Sequence, residues 1–458
     1  MSSLALLSLL ACADPGPNWP GFRGDGTNRT SASDLPLRWT PTENIAWRLS
    51  LPGYGQSSPV VWEGQAFVTA VEGKEKETCV ACAVDVASGK LAWEERFPAS
   101  QKGKNNPSMS RAAPTPVVDV GGVYAFFESG DLVALAHTGG VRWQRSLTPE
   151  FGEFKNHHGL GSSLAQTKRA VVILADHGGK SYLLAVEKPT GKTLWKVDRK
   201  SGLSWTSPIV TTQGGREIVV VSSNGSLTGY DAGDGAEVWS LGGLSGNLIP
   251  SPTLAGDLVF VGAGESGITF DMKAAAKSNC CVRLTAVNGK LGCEKVWEGK
   301  RVVLQHASPV VGGEHVYYVT KHGILHCLDL KTGEERYSER LESPCWATPV
   351  SAGDRLYCFG KDGVTTVVAA GAEFRPLATN RLWGKDELAK RTTLSKSSPE
   401  NQFPPLPPQG RDAMEVMLRD AVGDVVYGVA VIPDGFLIRT GTELIRVRRA
   451  TPEAAKAN

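Results

Sequence analysis

Nothing in this 458-residue chain is apolar for long enough to cross a bilayer as a helix. The run Leu4 to Leu10 covers seven residues, against the roughly 20 that a span requires. Charge of one sign is also missing. Lys and Arg total 49 against 47 Asp and Glu, a net charge of +2 with the basic residues scattered. That excludes the concentrated basic footprint on which nucleic acid or anionic lipid binding depends. The stretch Gly159-Leu160-Gly161-Ser162 is neither a phosphate loop nor a nucleophile elbow, because it lacks a following helix and the G-x-S-x-G order. No carboxylate cluster of the kind calcium needs stands at equivalent points of the chain. What the chain has in quantity is 52 glycines and 27 prolines, the composition of a chain that turns often between short strands.

The N-terminus carries two readings. Leu9-Leu10-Ala11-Cys12 has the form of a bacterial lipobox, in which Cys12 is lipidated and becomes the mature N-terminus. Ala11-Cys12-Ala13 also fits ordinary signal cleavage, although no positive charge precedes the apolar run. Both predict export to the periplasm or cell envelope, with a lipid tether through Cys12 in the first. Setting Cys12 aside leaves eight cysteines of the nine, an even number that suits an oxidising compartment. Cys79 and Cys82 form a C-x-x-C on a predicted strand, where positions i and i+3 face opposite sides. A redox pair wants a helix N-terminus instead.

A repeat dominates the rest. A turn glycine is followed four residues later by tryptophan at Gly89/Trp93, Gly139/Trp143, Gly191/Trp195 and Gly235/Trp239, and by tyrosine at Gly333/Tyr337. Ser/Thr-Pro steps lead into apolar runs at Ser58, Thr115, Ser207, Ser251, Ser308 and Thr348. A period of roughly 40 to 50 residues with several short strands per unit specifies a β-propeller. Blades are expected to begin near Ser58, Thr115, Ser163, Ser207, Ser251, Ser308 and Thr348. An eighth, Val426 to Val447, lacks its outer strand, which Asn44-Ile45-Ala46-Trp47 supplies so that the ring closes without a free edge. The expectation is therefore an all-β, eight-bladed propeller of four-stranded antiparallel blades over residues 44–450. A signal at 1–13, a strap at 14–43 and a disordered tail at 451–458 flank it. An insertion is expected at 376–420, with a proline run at Phe403 to Pro408 and a short helix at Asp412 to Arg419.

These repeats resemble the quinoprotein-type propeller repeat, which builds the pyrroloquinoline-quinone (PQQ) dehydrogenases and the non-enzymatic BamB-type outer-membrane assembly lipoproteins. The resemblance runs from about Trp19 to Val447. More narrowly, Trp19-Pro20-Gly21-Phe22-Arg23-Gly24, His157-His158-Gly159-Leu160-Gly161-Ser162-Ser163 and Ser204-Trp205-Thr206-Ser207-Pro208 resemble exported bacterial PQQ-like propeller proteins. Fold does not carry function with it. The resemblance implies either an exported binding scaffold without a cofactor, engaging a protein or envelope ligand, or a PQQ- and calcium-dependent oxidoreductase acting on an alcohol or sugar. Some quinone enzymes resemble this chain in having adjacent cysteines, but Cys280-Cys281 lies far from a channel lead-in and reads as two ordinary cysteines at a strand start.

Candidate binding residues follow from aligning the repeats on the Ser/Thr-Pro step. Residues two positions earlier are Gln56, Ala113, Gly161, Trp205, Ile249, His306 and Trp346, with Arg111, His157 and His158 nearby. Inner strands line a propeller channel, so these lead-ins converge on one mouth. Aromatic faces and hydrogen-bonding groups there make a ligand site, or else plug a narrow channel. Adjacent histidines in an extended segment would point apart and could not share one metal ion. No catalytic residue is assigned.

Overall fold

Four of the turn glycines have two reasons to be glycine. Gly89, Gly191, Gly235 and Gly333 hold φ values of 70–78°, and a Cβ there would meet the indole of the preceding blade: Trp47 at 2.5 Å, Trp143 at 2.8 Å, Trp195 at 2.7 Å and Trp297 at 2.5 Å. The tryptophan on five of the outer strands thus wedges onto the turn of the next blade. Its Nε1–H donates to a backbone carbonyl there: Trp47 to Val86, Trp93 to His137, Trp143 to Lys188, Trp195 to Ala232 and Trp297 to Leu330, at 2.7–3.0 Å.

The computed structural model describes residues 18–106, 109–265, 271–397 and 425–449. Eight antiparallel sheets form the ring. Blade 1, for example, runs Val60–Trp62, Gln65–Glu72, Thr78–Asp85 and Leu91–Pro98 from the channel outwards. Blade 8 consists of Gly428–Ile432, Gly435–Arg439 and Glu443–Arg448, closed by Ile45–Ser50 as its outer strand. The split closure read from the sequence is what the chain adopts.

The Ser/Thr of each Ser/Thr-Pro step forms a girdle around the channel. The backbone N–H of Ser58 donates to Thr115 Oγ1, Thr115 to Ser163, Ser163 to Ser207, Ser207 to Ser251, Ser251 to Ser308, and Ser308 to Thr348, all at 2.8–3.0 Å. Blade 8 breaks this chain, because Gly428 stands at the equivalent point with no hydroxyl.

Two expectations need correction. The break expected over 376–420 starts later, since Pro376–Arg381 is the outer strand of blade 7. Proline is tolerated at the first residue of an edge strand, where no ladder donor is missed. Helix Lys385–Ser397 follows; the proline run at 403–408 and the proposed helix at 412–419 lie outside the described residues. Blade 7 also has five strands, not four: Arg29–Thr30 pairs in parallel with Val350–Ala352 on the channel side.

That fifth strand belongs to the strap, which crosses the channel. Trp19 exchanges two 2.8 Å backbone bonds with Val61 of blade 1, and Pro20 accepts from Val118 of blade 2. Arg23 reaches Pro252 and Thr253 of blade 5. Asn28 donates to the carbonyls of Thr348 and Pro349. Beyond it, Trp39 is buried between Phe359 of blade 7 and Phe436 of blade 8, at 6.5 and 6.0 Å between centroids. All these partners of the strap within the channel lie at or downstream of the proline steps, on the side away from the mouth where the lead-ins gather.

Candidate functional site

Around that mouth the side chains make contact from blade to blade. His306, leading into blade 6, stacks on Trp346 of blade 7 with centroids 4.4 Å apart. Trp346 meets Tyr427 of blade 8 edge-on at 6.1 Å, and Tyr427 meets Tyr54 of blade 1 at 6.3 Å, their hydroxyls 2.9 Å apart. The Arg111 guanidinium of blade 2 sits 3.4 Å from the centre of the Tyr54 ring. A second group follows in blades 3 and 4. His157 and His158 lie 4.3 Å apart, and His158 lies 5.9 Å from Trp205. The His158 carbonyl accepts from Ser110 N–H at 2.6 Å, which joins the two groups.

The members differ in what they offer a ligand. Gln56 and Arg111 pair with each other: Gln56 N–H donates to the Arg111 carbonyl and Gln56 Oε1 accepts from Arg111 N–H, both at 2.9 Å. Arg111 is 1% exposed, so it supports the Tyr54 face from below. Trp205 donates through Nε1 to the Gly159 carbonyl at 2.8 Å, and its ring lies against Gly161, where a Cβ would come within 3.0 Å. His157 is exposed, whereas His158, Trp205, His306, Trp346, Tyr54 and Tyr427 are half-buried. Burial, then the neighbouring His158, lowers the pKa of His157. Beneath the rim, Lys76 and Glu128 form a buried ion pair at 3.1 Å. Lys76 also donates to the Ser110 carbonyl, and Glu128 accepts from Ala112 N–H, which fixes the strained Ala112 at φ 50°.

The sequence missed Tyr54 and Tyr427. Tyr54 stands four residues before Ser58, outside the aligned column, and Tyr427 lies in a blade with neither the hydroxyl nor the proline of the marker. The expectation that His157 and His158 point apart is also corrected. They occupy a turn, not an extended segment, and the turn brings the rings together. A third donor is what a metal would lack: no group of three or more His, Cys, Asp or Glu among the described residues could hold an ion.

The cysteines are placed as packing residues. Burial pushes Cys79 up to about 12 and Cys82 to about 11, the reverse of a redox thiolate. Cys280 packs towards blade 4 and Cys281 towards blade 6, on opposite faces of their strand. Cys12 lies outside the described residues. Among those described, no helix is long and apolar enough to cross a membrane.

Residues 32–174, 179–278 and 282–402 match the family model described as outer membrane protein assembly factor BamB. The chain is 28% identical over 239 residues to the outer membrane protein assembly factor BamB of Shewanella oneidensis, covering 50% of this chain and 57% of that protein. Against the same factor of Moranella endobia it is 26% identical over 232 residues, covering 50% and 53%. It therefore spans about half the length of the curated relatives it matches. The crystal structure of BamB from Moraxella catarrhalis is similar in fold, with a TM-score of 0.57 at 12% identity over 88% of this chain and 97% of that one. With most of its length matched, the chain belongs to the family whose model is described as outer membrane protein assembly factor BamB.

Proposed function

We propose that this protein is a non-enzymatic binding scaffold of the cell envelope that engages a polypeptide at the channel mouth. One observation carries the reading: a nearly continuous belt of half-open aromatic faces, from His306 through Trp346, Tyr427 and Tyr54 to Arg111, around a channel that the strap crosses on its other side. Aromatic side chains supply large contact areas with a polar tip, the usual anchors of protein recognition. The names of its relatives support a partner among the proteins of outer membrane assembly. Export, and a tether through Cys12 where the lipobox reading holds, would place the scaffold there.

The donor set of the mouth speaks against the quinone reading. Calcium takes six to eight oxygen ligands, whereas the mouth presents imidazoles, indoles, phenols, a glutamine and a guanidinium. Glu128, a carboxylate beside the mouth, has both oxygens engaged by Ala112 N–H and Lys76. These residues do not fit PQQ with calcium.

A photoreactive phenylalanine placed at Trp346, His158, Leu91 or Val287 separates the mouth from the outer strand and turn positions. Polypeptide adducts in intact envelopes from Trp346 and His158 are expected. Adducts from Leu91 or Val287 alone would overturn the site. His158→Ala and Trp346→Ala are expected to weaken capture of the crosslinked polypeptide with little change in melting temperature.

A further inference from the structure

The chain leaves the ring after blade 7 and re-enters it at blade 8, both times beside the aromatic belt. Helix Lys385–Ser397 carries it out. Arg391, midway along that helix, meets Glu443 of blade 8 through Nη1 and Nη2 at 2.6 and 3.0 Å, and lies 4.9 Å from the Trp383 ring. Glu443 follows directly on the turn that holds Gly441. There a Cβ would overlap the ring of Tyr54, and the Gly441 carbonyl accepts from Gly55 N–H at 2.8 Å. The chain returns at Val426 and Tyr427. Their N–H groups donate to the carbonyls of Lys361 and Arg439, both at 3.0 Å, and Tyr427 is itself a member of the belt. The two anchors that flank residues 398–424, Arg391 and Tyr427, therefore both stand on the mouth side.

Between those anchors the sequence has one charge-free run of prolines and large apolar residues, Phe403-Pro404-Pro405-Leu406-Pro407-Pro408. Phe403 follows Ser397 so closely that it lies within about 20 Å of the helix end. From Pro408 back to Val425 the chain can extend about 55–60 Å, which imposes no restraint. The chemistry matches the reach. Proline has no N–H to desolvate, and its φ is held at about −65° before it meets any partner, so docking costs little entropy. Grooves lined by aromatic side chains are the surfaces that dock such segments. The run brings no charge to Trp346, Tyr427 or Tyr54, so no ion is desolvated there.

On the assignment of the mouth as the binding surface, we propose that its belt docks this chain's own segment Phe403–Pro408 across Trp346, Tyr427 and Tyr54. The chemistry recognised at the mouth is then an uncharged, proline-rich polypeptide. A partner polypeptide competes with a tethered one, whose effective concentration is on the order of millimolar. Even a free affinity of about 100 μM would keep the belt about nine-tenths occupied by the tethered segment.

A photoreactive phenylalanine at Phe403 tests this in the purified full-length protein, with no envelope present. Crosslinks mapped by mass spectrometry are expected on peptides carrying Trp346, Tyr427 or Tyr54, in a yield independent of protein concentration. No crosslink, or crosslinks confined to the Lys385–Ser397 helix or the outer strands, would overturn the docking. A yield rising with concentration would overturn it in favour of a second copy as occupant. A labelled peptide of residues 399–409 gives a second measurement, titrated into wild type and into a variant combining Pro404→Ser, Pro405→Ser, Pro407→Ser and Pro408→Ser. The variant is expected to bind at least about tenfold more tightly, because its own segment no longer competes. Trp346→Ala added to that variant is expected to lose the peptide. No binding, or equal affinity for wild type and the four-serine variant, would overturn the segment as occupant. Envelope adducts from Trp346 without any crosslink from Phe403 would overturn it too, while leaving the mouth itself in place.

Discussion

The seams between blades 1, 2, 3 and 4 and the sector where blade 8 joins its neighbours solve the same problem with different chemistry. At the regular seams a hydroxyl of one blade accepts from the backbone of the previous one on the channel side, and an indole docks on a turn glycine on the outer side. Around blade 8 the hydroxyl girdle is interrupted. Arginines take its place: Arg439 crosses to Ser57 and Thr69, and Arg446 crosses to the Val86 carbonyl that Trp47 also uses. Between blades 7 and 8 the aromatic wedge comes from the strap, as Trp39. A repeat can supply its own hydroxyl link at six seams, but the closing blade is assembled from both ends of the chain. There the contacts have to be long-range ones.

The largest effect should come from Trp39→Ala. Truncating a buried aromatic costs about 3–5 kcal/mol. The loss should localise, with amide exchange accelerating in blades 7 and 8 before the other blades. Trp143→Ala, at a regular seam, is expected to open blades 2 and 3 instead. If both variants loosened the ring uniformly, the contrast between the two kinds of seam would fail.

Glycine tests the regular seams alone. Gly313→Ala places a Cβ at φ 57° with nothing within 4 Å, so only the backbone penalty of about 1–2 kcal/mol applies. Gly191→Ala carries the same penalty at φ 71° and drives its Cβ to 2.8 Å from the Trp143 ring. Denaturant unfolding should show a further loss of about 1–3 kcal/mol from overpacking. Equal losses would show that the turn, not the docked indole, dictates glycine.

How much of this was legible follows from the same contrast. Ser/Thr-Pro steps and glycine–tryptophan pairs recur because each seam repeats one local geometry, so the blade count, closure and mouth lead-ins could be read from spacing. Gln213 shows where spacing runs out. It accepts from Trp239 and donates to Thr285 and Gly292 of blade 5, relaying a contact that no period marks. The strap's parallel pairing, the turn at His157 and the Tyr54–Tyr427 contact join residues hundreds of positions apart or depend on one local bend. Arg439 was equally silent. Its guanidinium fits only because Gly55 has no side chain, a Cβ there falling within van der Waals overlap of Nη2.

Arg439→Met sharpens the closing seam. It removes a buried charge, which favours the variant, but leaves the Ser57, Thr69 and Thr440 oxygens without that donor. With three acceptors affected the loss should prevail, at about 1–3 kcal/mol. Unfolding in urea would read it, and a variant as stable as wild type would mean that the arginine is tolerated there without acting as a clamp.

The smallest effect belongs to the regular side, where an imidazole holds the loop that carries the mouth histidines. His177 is 2% exposed, and its Nδ1 accepts from the backbone N–H groups of Lys155 and Gly179, at 3.2 and 3.1 Å. Burial lowers its pKa from the ordinary 6.5, with Asp176 opposing and Lys155 adding to the shift. The neutral ring is therefore the one the fold prefers. Its contribution is complete above the unfolded value and is lost as pH falls through the lowered folded one. Protonation would put a hydrogen on Nδ1 and evict both donors. Exchange at the Lys155 and Gly179 amides, corrected for its intrinsic pH dependence, should rise as pH falls through that range. Amides of the Tyr54–Gln56 segment, which no histidine holds, should stay unchanged. Parallel acceleration of both segments would mean that the mouth opens as one unit, and that its two halves are not held independently.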